Sequence, residues 1–198
     1  EECPVGSVEF CRAWMRAVGI SEPGPMDYPA ALRDRLGRAV GWWPRYGYVP
    51  DGLWVKPVET KAWPAHIKRA RWGEVTTGCG VTAEQIERTD AGEQGVWSSP
   101  HIDLCAEYRV YVVESVVVGV ARYDDDEGED GAFEHGGAGV TFVARAVHDH
   151  AVSGAAPAAY ALDVASLREG GLILMEATDA WAIGYYKGTC SQADYARL

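Results

Sequence analysis

Residues 160–186 read YALDVASLREGGLILMEATDAWAIGYY, and their pattern predicts two strands joined by a short turn. On the first strand Leu162 and Val164 alternate with Asp163. On the second, Leu172, Leu174, Glu176 and Thr178 share one parity, and Ile173, Met175 and Ala177 share the other. Strand side chains point to opposite faces with a period of two. Glu176 and Thr178 are therefore expected side by side, on a strand otherwise apolar enough to be buried, and Asp163 adds a second carboxylate. An unpaired buried charge costs several kcal/mol or neutralises itself. Two readings stay open: ordinary ion pairs with Arg or Lys, or oxygen ligands converging on a hard cation such as magnesium.

The wider composition bounds the rest. The chain has 198 residues, 47% of them apolar and 24% charged, as in ordinary globular proteins of one domain or two small lobes. A formal net charge of -11 argues against a nucleic-acid backbone or an anionic membrane as the main partner. No apolar run of about 20 residues predicts a transmembrane helix. No charged-then-apolar leader is visible, so a cytoplasmic location is expected. The sequence begins without Met and finishes in what reads as a shortened helix, so further residues are expected at one or both ends. Cys3, Cys11, Cys79, Cys105 and Cys190 are odd in number and hold no CxxC, which predicts reduced thiols rather than a disulfide framework or zinc knuckle. His148 and His150 flank Asp149, but residues two apart on a helix do not face each other.

Ser7 is placed to cap a helix to about Val18, with Gly19 as its stop and Val8, Cys11, Trp14, Met15 and Val18 as its apolar stripe. A second short helix is predicted from Tyr28 to Leu36. Pro50-Asp51-Gly52 reads as a turn into the strand LWVKP, where Lys56 interrupts an apolar run. Lys61, Lys68, Arg69 and Arg71 then form a cationic patch, which reads either as a solvated surface or as an anion site. Thr82 and Gln85 fit a capping box for one helical turn. From Val96 the chain turns β-rich, and two runs around Glu114-Ser115 predict a hairpin. Glu107, Arg109, Tyr111 and Val113 share one parity there, and Arg122 shares another with Val116, Val118 and Val120. Residues 124–139 are acidic and Gly-rich and read as a loop, followed by a helix from Thr141 to about Ser153 and a last one begun by Ser191. The natural division falls near residue 96, giving lobes of 1–96 and 97–198.

Taken in order, WVKP with a second Lys after it, EYRVYVV with VVVGVARYD, YALDV, and LILMEATDAWAIGYY resemble an ATP-grasp domain. More narrowly they resemble the clade of small phage and bacterial ATP-grasp proteins named for two arginines and a lysine. The opening VGSVEFCRAW and DYPAALRDRLGR fit the same proteins, so the similarity covers about residues 4–190. It implies an α+β fold of two lobes gripping ATP between them. It implies that Lys56 and Lys61 meet the phosphates, that Ser98, Ser99, His101 and Ile102 lie in the hinge beside adenine, and that Glu107 contacts the nucleotide. Arg109 and Arg122 would hold the γ-phosphate or an acyl phosphate, and Asp163 and Glu176 would carry Mg2+. Where the family has Asn two residues after that Glu, this chain has Thr178, a shorter and weaker oxygen ligand.

The activity so implied is ATP- and Mg2+-dependent ligation of a small-molecule or peptide carboxylate to an amine. Such chemistry needs no protein nucleophile, in keeping with a sequence that holds no Ser-His-Asp or Cys-His pattern. Two rivals stand beside it: a nucleotide-binding module without catalysis, and an acidic interaction protein.

Overall fold

The computed structural model describes residues 6–69, 80–122, 133, 137–186 and 190–198. Arg71, Lys187, Cys3, Cys79 and most of the acidic run after Arg122 lie outside them. In chain order the elements are α1 (Val8–Val18), β1 (Gly41–Trp43), β2 (Trp54–Pro57), β3 (His66–Ile67), α2 (Ala83–Ala91), β4 (Val96–Ser99), β5 (Leu104–Val113), β6 (Val116–Arg122), α3 (Ala138–Val152), β7 (Ala159–Leu167), β8 (Leu172–Asp179) and α4 (Gln192–Tyr195). Among the described residues they form two four-stranded antiparallel sheets, an α+β fold as the sequence predicts. The chain's contacts divide it into two compact units, Glu1–Arg35 with Leu104–Leu198, and Leu36–Asp103.

The unit Leu36–Asp103 carries the sheet β1-β4-β2-β3. Alternation along β2 buries Val55 and leaves Lys56 half-buried on the other face. Val55 joins Tyr46, Val49, Trp63, Val81, Ile86 and Val96 in one apolar core. The capping box forms, with the Gln85 N–H donating to the Thr82 hydroxyl and the Thr82 N–H donating to Gln85 Oε1. It starts nine residues of helix rather than the single turn expected. Lys68, read in the sequence as part of a cationic patch that is either a solvated surface or an anion site, is only 7% exposed. Its ammonium donates to the carbonyls of Gly47 and Val49 and lies 5.4 Å from the Tyr46 ring centroid. A lysine stem buries well when its charged head finds acceptors, and here those acceptors are the backbone of the turn before β2.

The other unit carries the sheet β6-β5-β7-β8. The predicted hairpin of β5 and β6 turns through Glu114 and Ser115, at φ 49 and 61. Two successive left-handed residues match the right-handed twist of the strands they join. The pair β7 and β8 occupies the 160–186 stretch as expected. Helix α3 packs on one face, burying Val143, Ala146, Val147 and His150, with the His150 ring edge-on to Tyr160 at 5.1 Å. We call this the helix face.

Two departures have local causes. Val18, assigned to the α1 stripe, is 50% exposed, because the helix contributes only Val8, Cys11 and Met15 to the core before Gly19 ends it at φ 76. The second helix is a 3-10 segment confined to Ala30–Arg35. Asp27 is bridged to Ala177 on β8, so the chain just before Pro29 is committed to the sheet edge and helix begins only after it. Among the described residues no helix is long and apolar enough to cross a membrane.

Candidate functional site

Arg109 on β5 lies opposite Asp163 on β7, and Asp163 lies opposite Glu176 on β8. Residues directly opposite in an antiparallel pair project to the same side. The three therefore form one row across three strands, on the face away from α3. Thr178 comes next along β8, opposite Ala161, which in turn faces Tyr111 on β5. The neighbours on this face are small: Gly119 opposite Tyr111, Ala121 opposite Arg109, Ala165 opposite Glu107. Small side chains leave the long polar ones room to lie along the sheet.

The parity predicted for β8 holds only in part. Val164 pairs with Leu174 while Asp163 pairs with Glu176, so Met175 is an extra residue. Such a bulge re-aims the side chains beyond it. Leu172 and Leu174 consequently join the helix face, while Glu176 and Thr178 stay together on the opposite one. A similar shift lies in β6, where Tyr111 pairs with Gly119 and Val112 with Val117. Arg122 stands opposite Tyr108, on the helix face, whereas Arg109 stands opposite Ala121. The register thus does not bring Arg122 into the row.

Within the row the charges are paired. Arg109 donates from Nε to Asp163 Oδ1 at 2.8 Å and from Nη2 to Oδ2 at 2.6 Å. The Asp163 side chain is 3% exposed and that of Arg109 14%. Forked, charge-assisted bonds of this kind are among the strongest in proteins. Of the two readings left open by the sequence, the ion pair is present for Asp163. Tyr111 is fully buried beside it. Its hydroxyl donates to the Gly184 carbonyl at 2.9 Å and accepts from the Tyr186 N–H at 3.3 Å. Burial pushes the Tyr111 phenol up to about 12, against the opposing pull of the Tyr186 N–H and the Arg109 charge. Tyr186 brings its ring centroid to 5.8 Å from Arg109 Cζ. Sequence reading missed Tyr111 and Tyr186 as members of this group. The available signal was a tyrosine at the same parity as Arg109 in an apolar strand.

Asp163, Glu176 and Thr178 offer two carboxylates and a hydroxyl on one face, oxygen donors of the type magnesium takes. Both Asp163 oxygens are engaged by Arg109. Among the described residues no group of three or more His, Cys, Asp or Glu could hold a metal by itself. The residues fit the ion in donor chemistry, with solvent and substrate oxygens needed to complete a coordination shell. Asp149 is tied to Arg35, which holds its carboxyl below the usual range, while His150 is buried with its pKa lowered by that burial. The trio around Asp149 is therefore dispersed, as helix spacing predicts.

Lys56, Lys61, Ser98, Ser99, His101 and Ile102 sit on or beside the other sheet, and Glu107 is on β5. Lys56 is opposite Trp97, which is opposite Trp42 on β1. Lys61 is exposed at φ 58. Ser98 and Ser99 are buried on β4. The Ser98 hydroxyl accepts from Trp43 Nε1 at 2.8 Å, and the Ser99 hydroxyl donates to the Pro100 carbonyl at 3.1 Å. Both side chains make a hydrogen bond within their own neighbourhood. His101 is exposed and Ile102 half-buried just beyond the strand, and Glu107 is half-buried one alternation before Arg109.

A family profile matches residues 49–198; it describes an ATP-grasp domain, the second family of the clade named for two arginines and a lysine. No curated protein matches the sequence. Among solved structures the chain is similar to ATP-grasp ligase PsnB complexed with minimal precursor, at 17% identity and TM-score 0.45, covering 96% of this chain and 54% of that one. It is similar to macrocyclase MdnC from Microcystis aeruginosa MRC, bound with precursor peptide MdnA, at 13% identity and TM-score 0.45, covering 96% and 67%. An L-amino acid ligase from Bacillus licheniformis follows at 11% identity and TM-score 0.43, covering 85% and 45%. The chain spans about half the length of PsnB and of the amino acid ligase.

Proposed function

Because this chain belongs to the ATP-grasp domain family, in the second family of the two-arginine, one-lysine clade, we propose that it is an ATP- and Mg2+-dependent ligase joining a carboxylate to an amine. The observation that carries the reading is the row Arg109–Asp163–Glu176, one cation and two carboxylates in register on one sheet face. In the proposed reaction a carboxylate oxygen of the substrate attacks the γ-phosphorus of ATP. The bond to the β-γ bridging oxygen breaks, giving ADP and an acyl phosphate. An amine then adds to the acyl carbon and expels inorganic phosphate, leaving an amide and releasing a proton.

Each residue has a stated part. Lys56, Lys61 and Arg109 neutralise and orient the phosphoryl group, work that is chiefly positioning and electrostatics. Arg122 lies on the other face of the sheet, outside the row, and its assignment to the phosphate rests on the family resemblance alone. Ser98 to Ile102 present backbone groups to the adenine, and Glu107 contacts the nucleotide. Asp163, Glu176 and Thr178 would hold magnesium, which would supply charge neutralisation on the phosphate oxygens. Each Asp163 oxygen accepts one N–H from Arg109 and keeps a second lone pair, so the pair and the ion could share the carboxylate. The substrates are a small-molecule or peptide carboxylate and an amine, and the setting is cytoplasmic.

A second reading, nucleotide binding without turnover, is favoured by Thr178 at a ligand position and by the pairing of Asp163 with Arg109. ADP formation with a pool of carboxylates and amines separates the two. Lys56→Ala and Glu176→Ala are each expected to abolish ATP turnover while circular dichroism and melting stay near wild type. Wild-type-like turnover in either variant refutes the assignment. A thermal shift with Mg-ATP, which raises stability by mass action if bound, tests the shared premise of nucleotide binding.

A further inference from the structure

The groups that constrain Arg109 include the Asp163 carboxylate and the ring of Tyr186, in the segment that follows β8. Residues 183–186 belong to no strand. Their placement comes from Tyr111, whose single hydroxyl donates to the Gly184 carbonyl and accepts the Tyr186 N–H. The Tyr111 side chain has space on this face because Gly119 and Ala161 flank it in register. Tyr195 closes the group, standing edge-on to Tyr111 at 6.3 Å, donating to the Ile183 carbonyl and packing on Tyr185 at 4.8 Å.

We propose that Tyr111 is a positioning residue for Arg109: by pinning residues 184–186 it seats the Tyr186 ring on the guanidinium and fixes the direction in which the other N–H donors point. A long arginine side chain has many rotamers, and a carboxylate fork alone lets it swing about the shared axis. An aromatic face on a second side removes that motion, and cation–π attraction holds it there. The consequence for chemistry rests on the reading of Arg109 as a phosphate-side cation. The geometric claim does not, so the two fail separately.

The test uses the whole chain without nucleotide. Exchange of the Arg109 Nε proton with water is followed by 15N NMR in wild type, Tyr111→Phe, Tyr186→Phe and Tyr186→Leu. Tyr111→Phe keeps the ring that Tyr195 packs on and removes only the hydroxyl. It is expected to speed the exchange about fivefold or more, and Tyr186→Leu likewise, on the scale of a partly buried cation–π contact. Tyr186→Phe retains the aromatic face and is expected to exchange as wild type does. Unchanged exchange in Tyr186→Leu overturns the proposal, even if Tyr111→Phe proves too unstable to measure. So does equal acceleration in Tyr186→Phe and Tyr186→Leu, which would mark a general loosening rather than a lost ring face. Where ATP turnover is measurable, Tyr111→Phe is expected to lower kcat about fivefold with KM for ATP little changed. A rise in KM alone overturns the positioning role in catalysis.

Discussion

Breaking the Arg109–Asp163 pair should cost several kcal/mol, and its size follows from burial. The two side chains are 14% and 3% exposed and joined by two bonds of 2.8 and 2.6 Å. Two unit charges about 4 Å apart at an effective dielectric of about 20 interact by roughly 4 kcal/mol. Removing one partner of a buried pair leaves the other without compensation, at a cost of about 3–5 kcal/mol. Asp163→Asn changes charge with almost no change of shape, and Arg109→Met keeps much of the packing volume. Each alone is expected to lower stability by about 3 kcal/mol, or roughly 6–12 °C in melting temperature for a chain of this size. The double variant should lose less than the sum by about 2 kcal/mol, because neither charge is then stranded. The pair Arg88–Glu84 is the internal control, since its side chains are 72% and 82% exposed. Glu84→Ala should cost about 0.5 kcal/mol or less. Urea titrations of the variants in low and high salt make the measurement. Additivity of the two single changes within about 0.5 kcal/mol refutes the reasoning.

Three more outcomes follow from local geometry. A Cβ on Gly95, at φ +78, would run into the Trp43 carbonyl oxygen, so Gly95→Ala should destabilise by about 2 kcal/mol or more in thermal melts, and an unchanged melt contradicts the packing described. Burial lowers the pKa of His150 below its ordinary 6.5. The unfolded chain then takes up the proton first, so the stability this group contributes is full above pH 6.5 and is lost as pH falls through the folded value. Denaturation midpoints compared at about pH 7 and about pH 5 should fall less in His150→Leu than in wild type, and an identical fall excludes that contribution. Replacing Glu114-Ser115 by Asn-Gly suits two left-handed residues at φ 49 and 61 and should stabilise by about 1 kcal/mol in the same titrations.

Much of the fold is written locally. Ser7 and Gly19 bound α1, Thr82 and Gln85 start α2, Ser191 starts α4, and alternation marks the strands, since caps and periodicity depend only on near neighbours. The sequence also determined which residue types the C-terminal half brings to bear, with Arg109, Asp163, Glu176 and Thr178 all on strands as predicted. The tertiary structure decided which of them meet. Cross-strand register and the bulges at Val118 and Met175 depend on pairing between distant segments. That pairing sets Arg109 against Asp163, parts Leu174 from Glu176, and leaves Arg122 on the other face. Burial decided the fate of Lys68 in the same way, since a lysine's sequence neighbours do not reveal that two backbone carbonyls await its ammonium. The tyrosines at 111 and 186 lie 75 positions apart, and only the folded chain brings the hydroxyl of one to the backbone of the other.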